Sequence, residues 1–454
     1  MLMWALSGIL HPVMANFMRP EIARRFLPPV PLNVETEIKK PADVLAELGE
    51  VHQLKLADID QELHYLAVTT DEEHHYFNAN TGEKSSTAET AYAEQLARAY
   101  LADDKSELVS VTKITEFGDS YGYINRLLPV FRVKLDRADG IEVVVDPRTR
   151  RLATVDSPAG RLCGKMFNWF HRWSFLGDRF SPVRITVVSL LSLLGVLAGI
   201  SGVVSLFALK SKNSQGKKRK MSRSRRWHRR LGWVTVVFYF MFSMSGFYHV
   251  VYKFTGDDST SWQSAQTVDV SKLGTSLSDA KNLALAPISE VSLAVINEVP
   301  YYRLAVAARG AQPVYVNTIT GELTKMTDRG FAKHLALEFS GYEEADIKEV
   351  EPIFTFRQDY GFIFKRLPVW RVSFNNKEYW QYTVDTADAH MAMRMKPGSL
   401  VETLSFINLH KLHFLDGLGK SARDWVGSFA ALSIALLCFF GLLLLVKNKA
   451  SKVE

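Results

Sequence analysis

The chain has 454 residues, 47% of them hydrophobic, 11% aromatic and 23% charged, and a formal net charge of +7 at pH 7. That length allows several domains, and two cysteines, Cys163 and Cys438, exclude a disulfide framework and a thiolate metal site. The positive charge implies no nucleic-acid partner, because five Lys and six Arg with no acidic residue crowd between Lys210 and Arg230 and leave the remainder net acidic.

A mean hydropathy near zero conceals a division. Apolar runs of about 20 residues at Pro182–Ala208, Leu231–Val251 and Trp425–Val446 match the thickness of a bilayer, and two polar stretches of domain size lie outside them. By the positive-inside rule the basic loop 210–230 is cytoplasmic, as is the tail with Lys447, Lys449 and Lys452, so both polar stretches face outward.

The chain opens on MLMWALSGILHPVMANF, an apolar segment with no basic n-region and no evident cleavage site. An internal repeat interprets it. YGYINRLLPVFRV at Tyr121–Val133 matches YGFIFKRLPVWRV at Tyr360–Val372 in eight of thirteen places, at a spacing of 239. At the same spacing Thr81-Gly82-Glu83 pairs with Thr320-Gly321-Glu322, Asp146 with Asp385, and Phe170-His171-Arg172 with Leu409-His410-Lys411. Ser7-Gly8-Ile9-Leu10-His11 pairs with Ser245-Gly246-Phe247-Tyr248-His249. The expected architecture is a tandem duplication of membrane helix, outward domain and membrane helix. It is a four-helix membrane bundle, the first helix present as its outer half, with two α+β domains.

In chain order the expected parts are the first half-helix (1–17), outward domain 1 (18–168) and the second membrane helix with its lead-in (169–209). The basic loop (210–230) and third membrane helix (231–253) follow, then outward domain 2 (254–407), the fourth membrane helix with its lead-in (408–446) and the tail (447–454). Domain 1 reads as a short helix at Pro41–Leu48, alternating strands, a turn at Asn80–Glu83, an amphipathic helix at Thr90–Leu101 and further strands to Val155. Domain 2 repeats this from Ser278 to Met395. The strings around Pro129 and Pro368 read as packing.

Chemistry is carried by histidines. His11, His171, His249 and His410 sit at the outer ends of the four expected membrane helices in repeated positions, with His413 one turn beyond His410. An ionisable side chain at a membrane helix is costly unless it has a task, and imidazole is an axial ligand of b-type haem. Gly8 and Gly246, three residues before His11 and His249, leave room for a flat macrocycle. His228 stands at the inner end of the third helix, inside the basic run, and the counterpart its repeat predicts falls before Met1. The blander reading is that these histidines sit at the headgroup level and that Gly195 and Gly199 form a packing face. The soluble-domain histidines His52, His64, His74, His75, His334 and His390 read as surface or structural. GLGKS at Gly417–Ser421 lacks the first glycine of a phosphate loop, and no GxGxxG follows a strand, which leaves a quinol or a redox protein as electron donor.

RRWHRRLGW followed by an apolar run ending SGFYH, the FHRW and LHKLHF motifs, and the TGE and DPRT turns resemble the PepSY-associated transmembrane family over almost the whole chain, in two copies. The resemblance implies a multi-pass bacterial inner-membrane protein in a lipid bilayer, with PepSY-like domains in the periplasm. It is similar to haem-containing ferric-siderophore reductases, which implies one or two haem b groups, a ferric siderophore or other periplasmic acceptor, and His11, His171, His249 and His410 as ligands. Two other expectations stand beside it: a regulator of periplasmic peptidases without redox activity, and an accessory protein that holds a partner through its GxxxG face.

Overall fold

The computed structural model describes residues 1–34, 38–178, 181–208, 222–255, 262–284, 286–308 and 311–450. Most of the basic loop 210–230 and the end of the tail 447–454 lie outside the described residues. The chain divides into two compact units, one made of Met1–Arg19, Ser157–Asp258 and Gly398–Glu454, the other of Pro20–Asp156 and Ser259–Pro397.

The first unit is helical. It contains α1 (Leu2–Val13), extended by a π turn at Met14–Met18, then α2 (Pro158–Phe170), α3 (Pro182–Ala208) and α4 (Arg223–Thr255). α5 (Pro397–Ser405) runs into a second π turn at Phe406–His410, and α6 (Lys420–Ala450) follows. Ser157 caps α2, its Oγ accepting the Gly160 N–H at 3.1 Å, with Pro158 at the first helical position, where its missing N–H costs nothing.

Pro182–Ala208, Arg223–Tyr252 and Lys420–Val446 are long and apolar enough to cross a membrane. The expected four-helix membrane bundle is therefore corrected. Leu2–Met18 is a shorter apolar helix, roughly 26 Å at 1.5 Å per residue against about 30 Å of hydrocarbon, and much of the chain is antiparallel sheet.

α4 lies against both α3 and α6, and α1 lies against α6 and α2. The Gly195/Gly199 face of α3 is occupied within the chain: Tyr239 Oη donates to the Gly195 carbonyl at 2.8 Å, and a Cβ on Gly199 would stand 2.6 Å from Tyr239 Cε1. Small residues here let two backbones approach in the absence of a hydrophobic drive between membrane helices. Close approach at Gly199 predicts that Gly199→Val separates α3 from α4 and costs about 1–3 kcal/mol, read as a lower melting temperature of the detergent-purified protein, while Gly202→Val, where nothing lies within 4 Å of a Cβ, is tolerated.

The second unit is built on strands from both repeats. Glu50–Ile59 pairs antiparallel with Ile288–Ile296, its repeat equivalent, in register Lys55 to Ser292. Outward from this seam each half adds its own hairpin, Glu62–Thr69 and His74–Asn78 on one side and Val299–Val306 and Val314–Asn317 on the other; with the two-residue strands Lys84–Ser85 and Val268–Asp269 this gives one eight-stranded sheet. The two polar stretches, read as one α+β domain each, are thus joined by a common sheet. One core holds Leu54, Leu56, Val291 and Leu293 from both halves. Separate cores hold each half's helix against its remaining strands: Tyr92, Leu96 and Tyr100 of Ala88–Leu101 with Phe131 and Val133, and Phe331 and Leu335 of Asp328–Ser340 with Val372 and Phe374. In the repeated YG…LPV string, Tyr121 Oη donates to Leu127 O and Tyr360 Oη to Arg366 O, each at 3.0 Å, so its recurrence serves packing.

A buried charge cluster ties the halves together. Asp388 accepts from Lys55 Nζ at 2.5 Å, Arg151 Nη1 at 2.8 Å and Arg366 Nη1 at 2.6 Å, while Asp385 accepts from Arg151 Nη2 at 2.8 Å and Arg366 Nη1 at 2.9 Å. Burial alone would raise the Asp388 carboxyl, but the Lys55, Arg151 and Arg366 charges outweigh it and hold the group well below the usual carboxylate range. Burial would likewise lower the Lys55 ammonium, and Asp388 and Glu290 reverse that. Removing one member leaves an uncompensated buried charge, so Asp388→Asn is expected to destabilise this unit by about 3–5 kcal/mol in denaturant unfolding. A depressed Asp388 favours the fold at every pH above the unfolded carboxyl value of 3.8 and loses that contribution as pH falls below it. Acid unfolding of the wild type below that value is expected to be steeper than that of Asp388→Asn.

Candidate functional site

The helical unit gathers four of the six candidate histidines into one row of rings. Phe167 stacks on His171 at 4.7 Å between ring centres and lies 5.8 Å from His11. In the other repeat Phe406 stacks on His410 at 4.8 Å and on His249 at 4.1 Å. His171 and His410 meet at 6.2 Å with their planes 68° apart. The order is His11, Phe167, His171, His410, Phe406, His249, symmetric about its middle. Each phenylalanine stands four residues before its histidine, one helical turn, which is what places ring over ring.

Hydrogen bonds fix which ring nitrogen is free. Ser7 Oγ donates to Met3 O at 2.7 Å, so toward His171 it accepts, and Nδ1–H of His171 donates to Ser7 Oγ at 3.2 Å and Trp4 O at 3.3 Å. His410 repeats this with Ser245 Oγ at 3.3 Å and Phe242 O at 3.2 Å, Ser245 giving its own proton to Met241 O. His249 Nδ1 binds the carboxylate of Glu402, a residue 3% exposed. His228 Nδ1 donates to Leu437 O at 2.9 Å. A carbonyl oxygen only accepts, so the proton rests on Nδ1 in His171, His410 and His228 and Nε2 keeps its lone pair. His11 is exposed and has no hydrogen bond to its ring among the described residues.

The glycines serve the histidines directly. A Cβ on Gly8 would lie 3.4 Å from His171 Cε1, one on Gly246 3.5 Å from His410 Cε1, and one on Gly441 3.2 Å from His228 Cε1. The space read in the sequence as room for a macrocycle at Gly8 and Gly246 is filled by the imidazole of the adjacent segment. His413 stands apart: its Nδ1 meets Asp416 Oδ2 at 2.9 Å, and Arg423 Nη1 lies 3.3 Å from its ring and 2.5 Å from Asp416 Oδ1. His228 is near the N-terminal end of α4, outside the row. Among the described residues no group of three or more His, Cys, Asp or Glu is placed to hold a bare metal ion.

The sequence matches the family described as PepSY-associated TM region over residues 2–447. The chain belongs to that family. No curated protein and no solved structure matches it. As a member of the PepSY-associated TM family it is a membrane protein, and the ring row lies in its membrane-associated unit.

Ser7, Ser245, Phe167, Phe406, Glu402 and Gly441 were not singled out in the sequence. The serines and phenylalanines recur at the repeat spacing, which is the signal that exposes them; Glu402 aligns with Cys163 and carries no such signal. Contact at Gly246 predicts that Gly246→Ala is tolerated, since 3.5 Å is ordinary van der Waals distance, whereas Gly246→Val drives the added methyls into His410 and costs about 1–3 kcal/mol in thermal melting.

Proposed function

We propose that this chain is a bacterial inner-membrane b-type haem protein that passes electrons across the bilayer to a periplasmic acceptor, a ferric siderophore whose hold on iron weakens on reduction. The observation that carries this reading is the row of imidazoles, three of which, His171, His410 and His249, have Nδ1 engaged by the protein. A metal-binding histidine almost always gives its other N–H to a carbonyl or carboxylate, which sets its tautomer and its angle. Here the donor set fits: three imidazoles of the row have such a partner, and two of them face each other.

His171, His410 and His249 would hold haem b, with His11 at the other end of the row, and the group would supply a one-electron iron couple there. His171 and His410 come within 6.2 Å of each other, between ring centres, at the middle of the row.

The residues themselves do the rest. Ser7 and Ser245 hold the central imidazoles, Phe167 and Phe406 keep water from their faces, and the basic loop orients the chain with its polar unit in the periplasm and its C-terminus in the cytoplasm. The electron donor is a quinol or a redox protein. A purely regulatory role leaves the free Nε2 atoms without a task, and a partner-holding role through Gly195 and Gly199 meets a face that Tyr239 already covers.

The test is a reduced-minus-oxidised visible spectrum of the detergent-purified protein, with haem quantified per chain. Sharp b-type bands are expected, lost in His410→Ala and His171→Ala and weakened in His249→Ala. A protein that stays colourless when expressed with ample haem overturns the reading.

A further inference from the structure

The ring row is symmetric in its members and unsymmetric in their surroundings. His249 and His11 occupy its two ends as repeat equivalents, and the carboxylate that binds His249 comes from Glu402, whose repeat equivalent is Cys163. Glu402 is 3% exposed on α5, one turn before Phe406, and its carboxylate is turned to His249. The turn before it is pinned separately, Tyr252 Oη meeting Ser399 Oγ at 2.9 Å. α4 and α5 are thereby joined at two successive points, the imidazole–carboxylate bond and the Tyr252–Ser399 contact.

A buried carboxylate is expensive without a partner, and among the described residues its partner is the imidazole of His249. That bond does two things. It keeps the proton on Nδ1, so that Nε2 of His249 is the ligating nitrogen. It also pushes electron density into the ring, making it a more basic donor than an imidazole bound to a neutral carbonyl or hydroxyl, as His171 and His410 are.

We infer that Glu402 is a positioning residue that fixes His249 as an iron ligand and lowers the reduction potential of the haem His249 holds, so that the two ends of a duplicated site are electrochemically unequal. The inference rests on the haem reading above. Ferric haem carries one more positive charge than ferrous haem, and an adjacent carboxylate stabilises the state with more positive charge. The His249 end therefore favours the oxidised form and gives up its electron more readily than a site without the carboxylate. An ordered difference between equivalent sites gives electron flow a direction, which a strictly symmetric duplication cannot supply.

The experiment is a potentiometric titration of the visible spectrum, followed with low-temperature electron paramagnetic resonance, on wild type, Glu402→Gln, Glu402→Ala and Ser399→Ala. Glu402→Gln keeps a hydrogen-bond acceptor of the same shape and removes the charge. It is expected to retain haem and to raise the potential of one component by about a tenfold change in the reduced-to-oxidised ratio at fixed potential, about 59 mV for one electron, with a shifted ferric resonance. Glu402→Ala is expected to weaken haem retention about tenfold as well. Ser399→Ala, which loosens the same helix pair at the neighbouring point, is expected to leave the potential where it was.

Haem-loaded Glu402→Gln with the wild-type potential and resonance overturns the inference and leaves the haem reading intact. A shift of equal size in Ser399→Ala overturns it too, since the effect would then come from helix packing. Wild-type protein without haem overturns the haem reading itself.

Discussion

Pairing of repeat-equivalent elements with each other is the constraint on which both units depend. In the sheet unit the equivalent strands Glu50–Ile59 and Ile288–Ile296 hydrogen-bond antiparallel, which a local two-fold between the halves requires. Either half alone would end on that strand, with an open row of N–H and C=O groups and half of a core uncovered. In the helical unit the same logic appears as crossed packing. α1 from the first repeat lies on α6 from the second, and α4 from the second lies on α3 from the first, so the helices that carry His11 and His249 are each braced by the other copy. His171 and His410, equivalent residues, meet at the centre of the ring row.

Symmetry of the backbone does not extend to the charges. Lys55, Arg151, Arg366 and Asp388 form one cluster with Asp385, and the repeat equivalents of the first four are Ser292, His390, Leu127 and Thr149. The physical reason lies at the seam. A two-fold brings equivalent positions near each other, so a charge present in both copies would face its own kind in a region of low dielectric. Asp385, which does repeat as Asp146, is neutralised by Arg151 and Arg366, whose equivalents His390 and Leu127 are not arginines. Glu402, equivalent to Cys163, is likewise a charge present in one copy.

The sequence carried the duplication, the three long membrane spans and the strand–helix order of the polar stretches, because each is written in periodicity or in repetition. Leu2–Met18 was misjudged as part of a four-helix bundle because repetition with the third helix was allowed to outweigh length, and 17 residues do not reach across the hydrocarbon. The common sheet was not legible, since a pattern of alternating residues says that a strand has a partner and does not say in which copy the partner lies. Gly8 and Gly246 were read as leaving room for a macrocycle, and the occupant of the space was mistaken: an imidazole about 160 residues away in the same repeat cannot be inferred from SGILH.

Tautomers were the least legible part and matter most for the chemistry. A histidine in a membrane segment is equally compatible with an interfacial side chain, a structural hydrogen bond and a ligand; what separates them is whether one nitrogen is spent on the protein and the other is left over. Ser7 decides this for His171 only because its hydroxyl proton goes to Met3 O, and Ser245 for His410 only because its proton goes to Met241 O. A serine one turn out of place would donate to the ring instead, move the proton to Nε2 and remove the free lone pair. The repeated serine of the SG…H string thus sets the tautomer of a histidine in another segment, through the hydrogen bond that serine gives to its own helix. Conservative exchange of either serine for alanine leaves the backbone carbonyls of Trp4 and Phe242 as acceptors, so the tautomer is held twice, while the ring angle is held by the hydroxyl and the phenyl face together.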